Sequence, residues 1–233
     1  MPKEGKRHPV FARCYAKVSP GMDAGGMAEY RQRALTGLTG SVIEVGAGNG
    51  LNFPHYPPGV TRVLAVEPAP YLRSIAAQKA ENPGGVIEVR GGVAERLPAA
   101  DGTFDVAVAT LVLCSVADQL AALREVHRVV RPGGQFRFIE HVQADTPGLR
   151  RVQRVLDATV WPLMVGGCHV SRDTLGAIAG AGFTVTQSEA FRFPVTQVPL
   201  PASPHVWGIA VREPGPDARH GLAECKACLT LRR

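Results

Sequence analysis

Val42-Ile43-Glu44-Val45-Gly46-Ala47-Gly48-Asn49-Gly50 is a short β-branched run that passes directly into three glycines at alternate positions. Residues without a Cβ let a chain turn sharply off the end of a buried strand and let a ligand approach main-chain N–H groups. Glu67 follows Glu44 by 23 residues and closes a second β-branched run, Thr61–Val66. Doubly wound folds place a carboxylate there to accept hydrogen bonds from ribose hydroxyls. Loop and acid together imply a nucleoside ligand. A dinucleotide loop reads G-x-G-x-x-G and seats a pyrophosphate on a helix N-terminus, whereas this one reads G-x-G-x-G behind an acid. Glu44 would repel a pyrophosphate and suits a ligand carrying positive charge.

Outward from this loop, short apolar runs alternate with helical stretches, the pattern of a parallel α/β sheet. Strands are expected at Ser41–Val45, Thr61–Val66, Val86–Val89, Phe104–Thr110 and Gln135–Val142, with Phe183–Phe193 and His205–Arg212 as a final pair. Helices are expected at Pro9–Lys17, Gly26–Leu38, Ala69–Ala80, Asp118–Val130, Pro147–Met164 (interrupted near Trp161-Pro162) and Ser171–Ala181. Asp118 is a suitable N-cap; Leu120, Leu123, Val126, Val129 and Val130 follow at helical spacing before the stop Arg131-Pro132-Gly133-Gly134. Residues 1–40 read as a helical cap, 41–212 as the domain proper and 213–233 as a tail.

At 233 residues, with 45% hydrophobic and 20% charged residues, the chain can bury the core of one α/β domain; disordered, collagen-like and coiled-coil classes are excluded. The net charge is +6, and residues 1–40 carry seven Lys/Arg against three acids, so four of the six excess charges lie in the cap. A uniformly basic nucleic-acid surface is not described. Five scattered cysteines do not suggest a disulfide framework, and no apolar stretch reaches the ~18 residues of a spanning helix. A soluble cytoplasmic protein is expected.

Four ordered blocks resemble the class I S-adenosylmethionine-dependent methyltransferases: the glycine loop with Glu67, Gly92–Pro98, Asp101–Val106 and Leu123–Gly134. The resemblance implies a mostly parallel, doubly wound seven-stranded sheet with an antiparallel last strand, and S-adenosylmethionine as cofactor. Cofactor contacts are then expected from Glu44, Gly46, Ala47, Gly48, Gly50, Glu67, Pro68, Val93, Ala94, Glu95, Thr110 and Leu111. Family members often carry Asp where this chain has Val93, which leaves adenine to backbone groups and apolar packing.

Further blocks resemble the thiol S-methyltransferase family: Asn52–Gly59, Leu111–Val116, Glu140–Val142, Leu156-Asp157, Trp161, Gly167–His169 and Pro204–Val206. Animal members begin with a hydrophobic membrane anchor; none is read here, so no integral membrane segment is expected. The resemblance implies methyl transfer to a small molecule, a thiol or otherwise a hydroxyl or ring carbon. A nucleic-acid methyltransferase is disfavoured, because base N-methyltransferases usually show Asn/Asp-Pro-Pro-aromatic where this chain has Thr110-Leu111-Val112-Leu113. A ligand-binding protein without catalysis is the remaining class, and turnover separates it.

A thiol has a reference pKa near ~8.5, so a modest base suffices. His141, ending the fifth strand, is the candidate base, with Asp157 as a second catalytic candidate. Tyr15, His55, Cys114, Trp161 and His169 are candidates for the acceptor pocket, with Met164, Phe191 and Phe193 as further wall residues. No His, Cys, Asp or Glu cluster has metal-ligand spacing, and Cys225-x-x-Cys228 stands alone, so no metal is expected.

Overall fold

The computed structural model describes residues 9–81 and 85–213. The basic residues Lys3, Lys6 and Arg7 and the pair Cys225 and Cys228 lie outside the described residues. Strands β1 (Gly40–Val45), β2 (Val60–Val66), β3 (Ile87–Arg90), β4 (Phe104–Thr110), β5 (Val130–His141), β6 (Phe183–Arg192) and β7 (Pro204–Arg212) form one sheet in the order β3-β2-β1-β4-β5-β7-β6. The pairings β2–β3, β1–β2, β1–β4 and β4–β5 are parallel, and β7 runs antiparallel to both of its neighbours, β5 and β6. The expected seven-stranded, doubly wound architecture with an antiparallel last strand is the one observed.

The central strands read as continuous apolar runs because both faces are covered. On one face Ile43, Val45, Leu64, Val66, Ala107 and Ala109 pack against α4 (Gln119–Val129) and α7 (Thr174–Gly180). On the other, Val42, Val63, Ala65 and Val108 pack against α3 (Pro70–Ala80) and the end of α2 (Ala28–Leu35). The Asp118 carboxylate accepts from Ala121 N at 2.9 Å and caps α4, an arrangement worth about 1 kcal/mol. Leu120, counted in the apolar stripe, is instead 46% exposed.

Two boundaries differ most from expectation. Strand β5 starts at Val130, ahead of the Pro132-Gly133-Gly134 read as a helix stop. A Cβ on Gly134 would lie 2.7 Å from the Asp105 carbonyl, so this glycine answers a close approach of β4 and not only a turn. The long helix divides, as expected, into α5 (Pro147–Asp157) and α6 (Trp161–Met164), with Trp161-Pro162 opening the second piece. Helix α1 (Pro9–Met22) runs on past Lys17, through Pro20. A kinked π-type turn, Asp23–Met27, joins it to α2.

This N-terminal segment packs across the β5–β7–β6 side through Met27, Ala34, Ile139 and Trp207, with Tyr30 stacked on Phe191 at 3.7 Å. Arg13 and Lys17 are exposed on its outer side, whereas Arg31 is buried. Part of the basic excess of the first forty residues is therefore internal and paired.

Candidate active site

The loop after β1 has the backbone its glycines predict. Gly46, Gly48 and Gly50 all lie at positive φ, at 69°, 57° and 73°. A Cβ would meet Val112 Cγ2 at 2.5 Å from Gly46 and Phe53 Cε2 at 2.7 Å from Gly50. Ala47 is buried and its N–H reaches Val66 O at 3.0 Å, pinning the loop to β2.

Glu67 leaves β2 with its carboxylate turned back on the loop, where Oε2 accepts from Gly48 N and Oε1 from Ala69 N, each at 2.8 Å. It is 5% exposed; burial raises its pKa, and the two N–H groups and Arg73 oppose the rise. A carboxylate has about four acceptor positions, so two remain for ligand hydroxyls. Arg73 Nη1 donates to Glu67 O at 2.9 Å and Pro68 O at 3.2 Å, which holds this corner closed.

Glu44, 2% exposed, is held by Asn52 Nδ2 at 3.0 Å and the Tyr56 hydroxyl at 2.8 Å. Burial lifts it to about 7 despite both hydrogen bonds and nearby Arg31. Asn52 is the hub of this network, donating also to Thr110 Oγ1 at 3.2 Å and accepting from Arg31 Nη1 at 3.0 Å. Its amide orientation follows from chemistry, since Arg only donates and a carboxylate only accepts. Arg31 Nε in turn donates to Asp23 at 2.9 Å.

The cap is thereby bonded to the glycine loop. Tyr15 completes the contact, its ring 3.4 Å from a Cβ position on Gly48; burial raises its pKa and Arg31 opposes this. His55, half-buried in the Phe53–His55 turn, is lowered by burial.

Val93 and Ala94 lie in a turn closed by Arg96 N on Val93 O at 3.1 Å. Glu95 has a structural task, its Oε1 accepting from Ala117 N at 3.0 Å and Asp118 N at 3.3 Å at the start of α4. Thr110 ends β4, and Leu111 leaves it at φ 59°, a conformation that costs an L-residue energy and collects at functional turns.

At the carboxyl edge of β4 and β5, side chains far apart in sequence converge. Glu140, fully buried, accepts from the N–H groups of Val112, Leu113 and Cys114 at 2.9, 2.9 and 3.2 Å. Burial raises its pKa, and these hydrogen bonds oppose the rise. His141 Nδ1 lies 3.4 Å from Cys114 Sγ and 3.8 Å from Cys168 Sγ. Burial pulls His141 down, but Cys114, Glu140 and Asp157 leave it above the usual histidine value. Trp161 packs on the two thiols with its indole nitrogen buried.

Asp157 is committed elsewhere. It accepts from Val170 N at 2.8 Å on one oxygen, and from Ser171 N at 2.8 Å and Ser171 Oγ at 2.6 Å on the other. It holds the segment after Cys168 and is a positioning residue rather than a second base. His169 Nδ1 bonds Gly167 O at 2.8 Å, and its backbone N–H reaches Cys114 O at 2.7 Å.

Of the expected wall residues, Trp161, Phe191 and Phe193 are partly buried, whereas Met164 is 74% exposed. Phe191 and Phe193 flank His205, a residue of the Pro204–Val206 block. His205 is 2% exposed and pulled down to about 3 by burial and by His141, with rings 4.3 Å apart. Its Nδ1 bonds Ser203 O at 2.8 Å, and its Nε2 is buried without a hydrogen-bond partner. A cleft of about 120 Å³ reaches it between the β5–α5 loop and β6, past Val142, Thr146 and Phe191.

Arg31 and Arg172 were not singled out in sequence, and Asn52 and Glu140 entered only as the first residues of resemblance blocks, with no role of their own. For Glu140 there was a signal, an acid ending the buried run Phe136–Ile139. The Cys114–His141–Cys168 cluster also runs against the spacing argument that no metal-ligand set exists, because 27 residues separate His141 from each cysteine and the fold, not local spacing, joins them.

The site's parts fit a sulfonium nucleoside: a glycine loop held at positive φ, a buried carboxylate with spare acceptor positions, and a second acid beside the loop. Residues 43–138 match the family described as Methyltransferase domain. The chain is 38% identical to Thiol S-methyltransferase TMT1A of Homo sapiens, over 74% of this chain and 70% of that protein. To Thiol S-methyltransferase TMT1B of Mus musculus it is 40% identical, over 76% of this chain and 74% of that protein. Among solved structures, the [4+2]-cyclase SpnF superposes with a TM-score of 0.67 at 16% identity, covering 91% of this chain and 98% of that one. Geranyl diphosphate methyltransferase in complex with SAM gives 0.62 at 14% identity, covering 91% and 92%. At such identities these two likenesses fix the fold alone, and a fold can host several chemistries.

Proposed function

Because the chain belongs to the thiol S-methyltransferase family and is an S-adenosylmethionine-dependent methyltransferase, we propose that its acceptor is a small thiol, methylated on sulfur. The observation that carries this reading is the position of His141. It lies two residues beyond Ile139, the partner of Thr110 in the β4–β5 register, in an apolar, sulfur-lined setting under Trp161.

Bound S-adenosylmethionine supplies a methyl group on a positively charged sulfur, ready for in-line displacement. The chain's own residues hold and align the reactants. The glycine loop and Glu67 take the ribose, and Val93 and Ala94 flank the base. The Glu44–Asn52–Tyr56 network faces the amino-acid end, and Thr110 and Leu111 border the methyl side. Alignment and exclusion of water can supply much of the rate. A thiol near its reference pKa of ~8.5 is already a few per cent thiolate at neutral pH, so His141 need only assist loss of the remaining proton.

Among the described residues no helix is long and apolar enough to cross a membrane. A cytoplasmic setting belongs to the same reading, supported by the free thiols of Cys14, Cys114 and Cys168. So does action on a small molecule rather than a nucleic acid, supported by burial of Arg31 within the cap.

Two substitutions test the division of labour. Glu67→Ala should weaken binding of S-adenosylhomocysteine in calorimetry by at least tenfold. His141→Ala should lower kcat with that binding retained. Unchanged turnover in His141→Ala would remove His141 from acceptor activation.

A further inference from the structure

Cys114 leaves β4, His141 ends β5 and Cys168 lies between α6 and α7, yet their ligating atoms all lie within 4.8 Å of one another. His141 Nδ1 is 3.4 Å from one sulfur and 3.8 Å from the other. A tetrahedral zinc centre with Zn–S about 2.3 Å and Zn–N about 2.05 Å sets sulfur and nitrogen about 3.6 Å apart. The two distances bracket that value without any rearrangement of the backbone.

The surroundings hold the three side chains more firmly than packing two thiols requires. Glu140 fixes the Val112–Cys114 turn by three N–H bonds, and Asp157 fixes Val170 and Ser171 by three more. Arg172 ties the two segments together, donating to Leu113 O and, at 2.8 Å, to Val116 O. His169 N on Cys114 O closes the link at 2.7 Å. Outer bonds of this kind orient ligands in built metal sites. Among the described residues, no further His, Cys, Asp or Glu atom joins the group. Three protein donors with a position left open is the arrangement of catalytic rather than structural zinc.

We propose that Cys114, His141 and Cys168 bind a zinc-like soft divalent cation whose open position takes the acceptor thiol. The proposal rests on the thiol reading of the function. Metal binding displaces the two cysteine protons to solvent and forms two metal–sulfur bonds and one metal–nitrogen bond. The acceptor thiol then loses its proton to solvent as its sulfur bonds the metal. A lone pair of that thiolate forms the new S–CH3 bond while the bond from methyl to the cofactor sulfur breaks. Its electron pair stays on the leaving sulfur, and the neutral thioether, a poorer ligand, departs. In the loaded protein His141 acts as a ligand and the cation assists the thiol's deprotonation.

The full chain, purified with a phosphine reductant in place of thiols, is loaded with Zn2+ or Co2+ and freed of excess metal. Elemental analysis should find about one metal per chain. The Co2+ form should show thiolate-to-metal charge-transfer and tetrahedral absorption bands that shift with 2-mercaptoethanol and not with ethylene glycol. Cys168→Ser and His141→Ala should each lose at least tenfold in Co2+ affinity. Because such variants can misfold, the wild-type result decides. A folded wild-type chain that retains no metal, or whose bands ignore 2-mercaptoethanol, overturns the site. Full-rate S-methylation by metal-free enzyme overturns it too, and leaves the thiol reading standing. Metal and thiol bound with methyl transferred only to oxygen, nitrogen or carbon overturns the reading on which it rests.

Discussion

Replacing Glu140 by Gln keeps the shape of the side chain and tests what the carboxylate holds. In the native turn one oxygen accepts from Val112 N and Leu113 N, both at 2.9 Å, and the other from Cys114 N at 3.2 Å. A glutamine keeps one acceptor oxygen, which can retain two of these bonds, and turns an NH2 toward the third donor. One hydrogen bond to a charged group is lost, worth about 1.5–3 kcal/mol, and buried donors are left facing each other at about 1–3 kcal/mol more. The expected loss is about 3–5 kcal/mol. For a chain of this size that corresponds to a fall in Tm of about 6–20 °C. Urea unfolding followed by circular dichroism measures the first figure and a thermal scan the second. The turn carries Cys114, so kcat should fall as well, with cofactor affinity less affected. A loss under about 1 kcal/mol with normal turnover would mean that the acid is protonated in the fold and that glutamine simply replaces it; the argument from three accepted bonds would then fail.

Gly46→Ala places a Cβ 2.5 Å from Val112 Cγ2 at φ 69°; left-handed backbone at about 1–2 kcal/mol and overpacking at about 1–3 predict a loss of about 2–5 kcal/mol in urea unfolding. Glu44 is held at about 7 in the fold against an ordinary 4.5. Folding therefore favours its protonated form, and its stability contribution is complete below about 4.5 and lost as pH rises through about 7. That loss is about 3 kcal/mol, and Glu44→Gln should remove it, so wild type and variant should diverge in urea between pH 5 and pH 8. Parallel curves would contradict the burial argument. Arg31→Met leaves Asp23 and Asn52 without their guanidinium partner in a setting only 5% exposed, which predicts a loss of about 3–5 kcal/mol and faster proteolysis within α1 and α2.

What was legible in the sequence is what local pattern encodes. The β1 run, its three glycines and Glu67 lie within 26 residues, and each part carries its own signal: no Cβ where the backbone turns, a carboxylate where the next strand ends. The same holds for Asp118, whose capping role follows from the helix it precedes. Partners brought together only by strand order stayed hidden. Glu140 acts on residues 26 to 28 positions earlier, and Arg172 on Leu113 and Val116, 59 and 56 earlier. Asp157 read as chemistry because an acid in a motif block carries no mark of which hydrogen bonds it makes; its three donors in the Val170–Ser171 segment assign it to positioning. His141 read as an isolated base because two thiols 27 residues away on either side are not neighbours until β4 and β5 pair and the segment between α6 and α7 folds back on the end of β4.

The central claim concerns the acceptor atom, and one product spectrum tests it. Purified protein is incubated with S-adenosylmethionine carrying a 13C methyl group and an equimolar panel of small alkyl thiols, phenols and amines. Carbon NMR and mass spectrometry then identify the labelled bond. The account predicts S-methyl thioethers as the dominant products, abolished by Glu67→Ala at low cofactor concentration. Label found on oxygen, nitrogen or carbon, with none on sulfur, would contradict it.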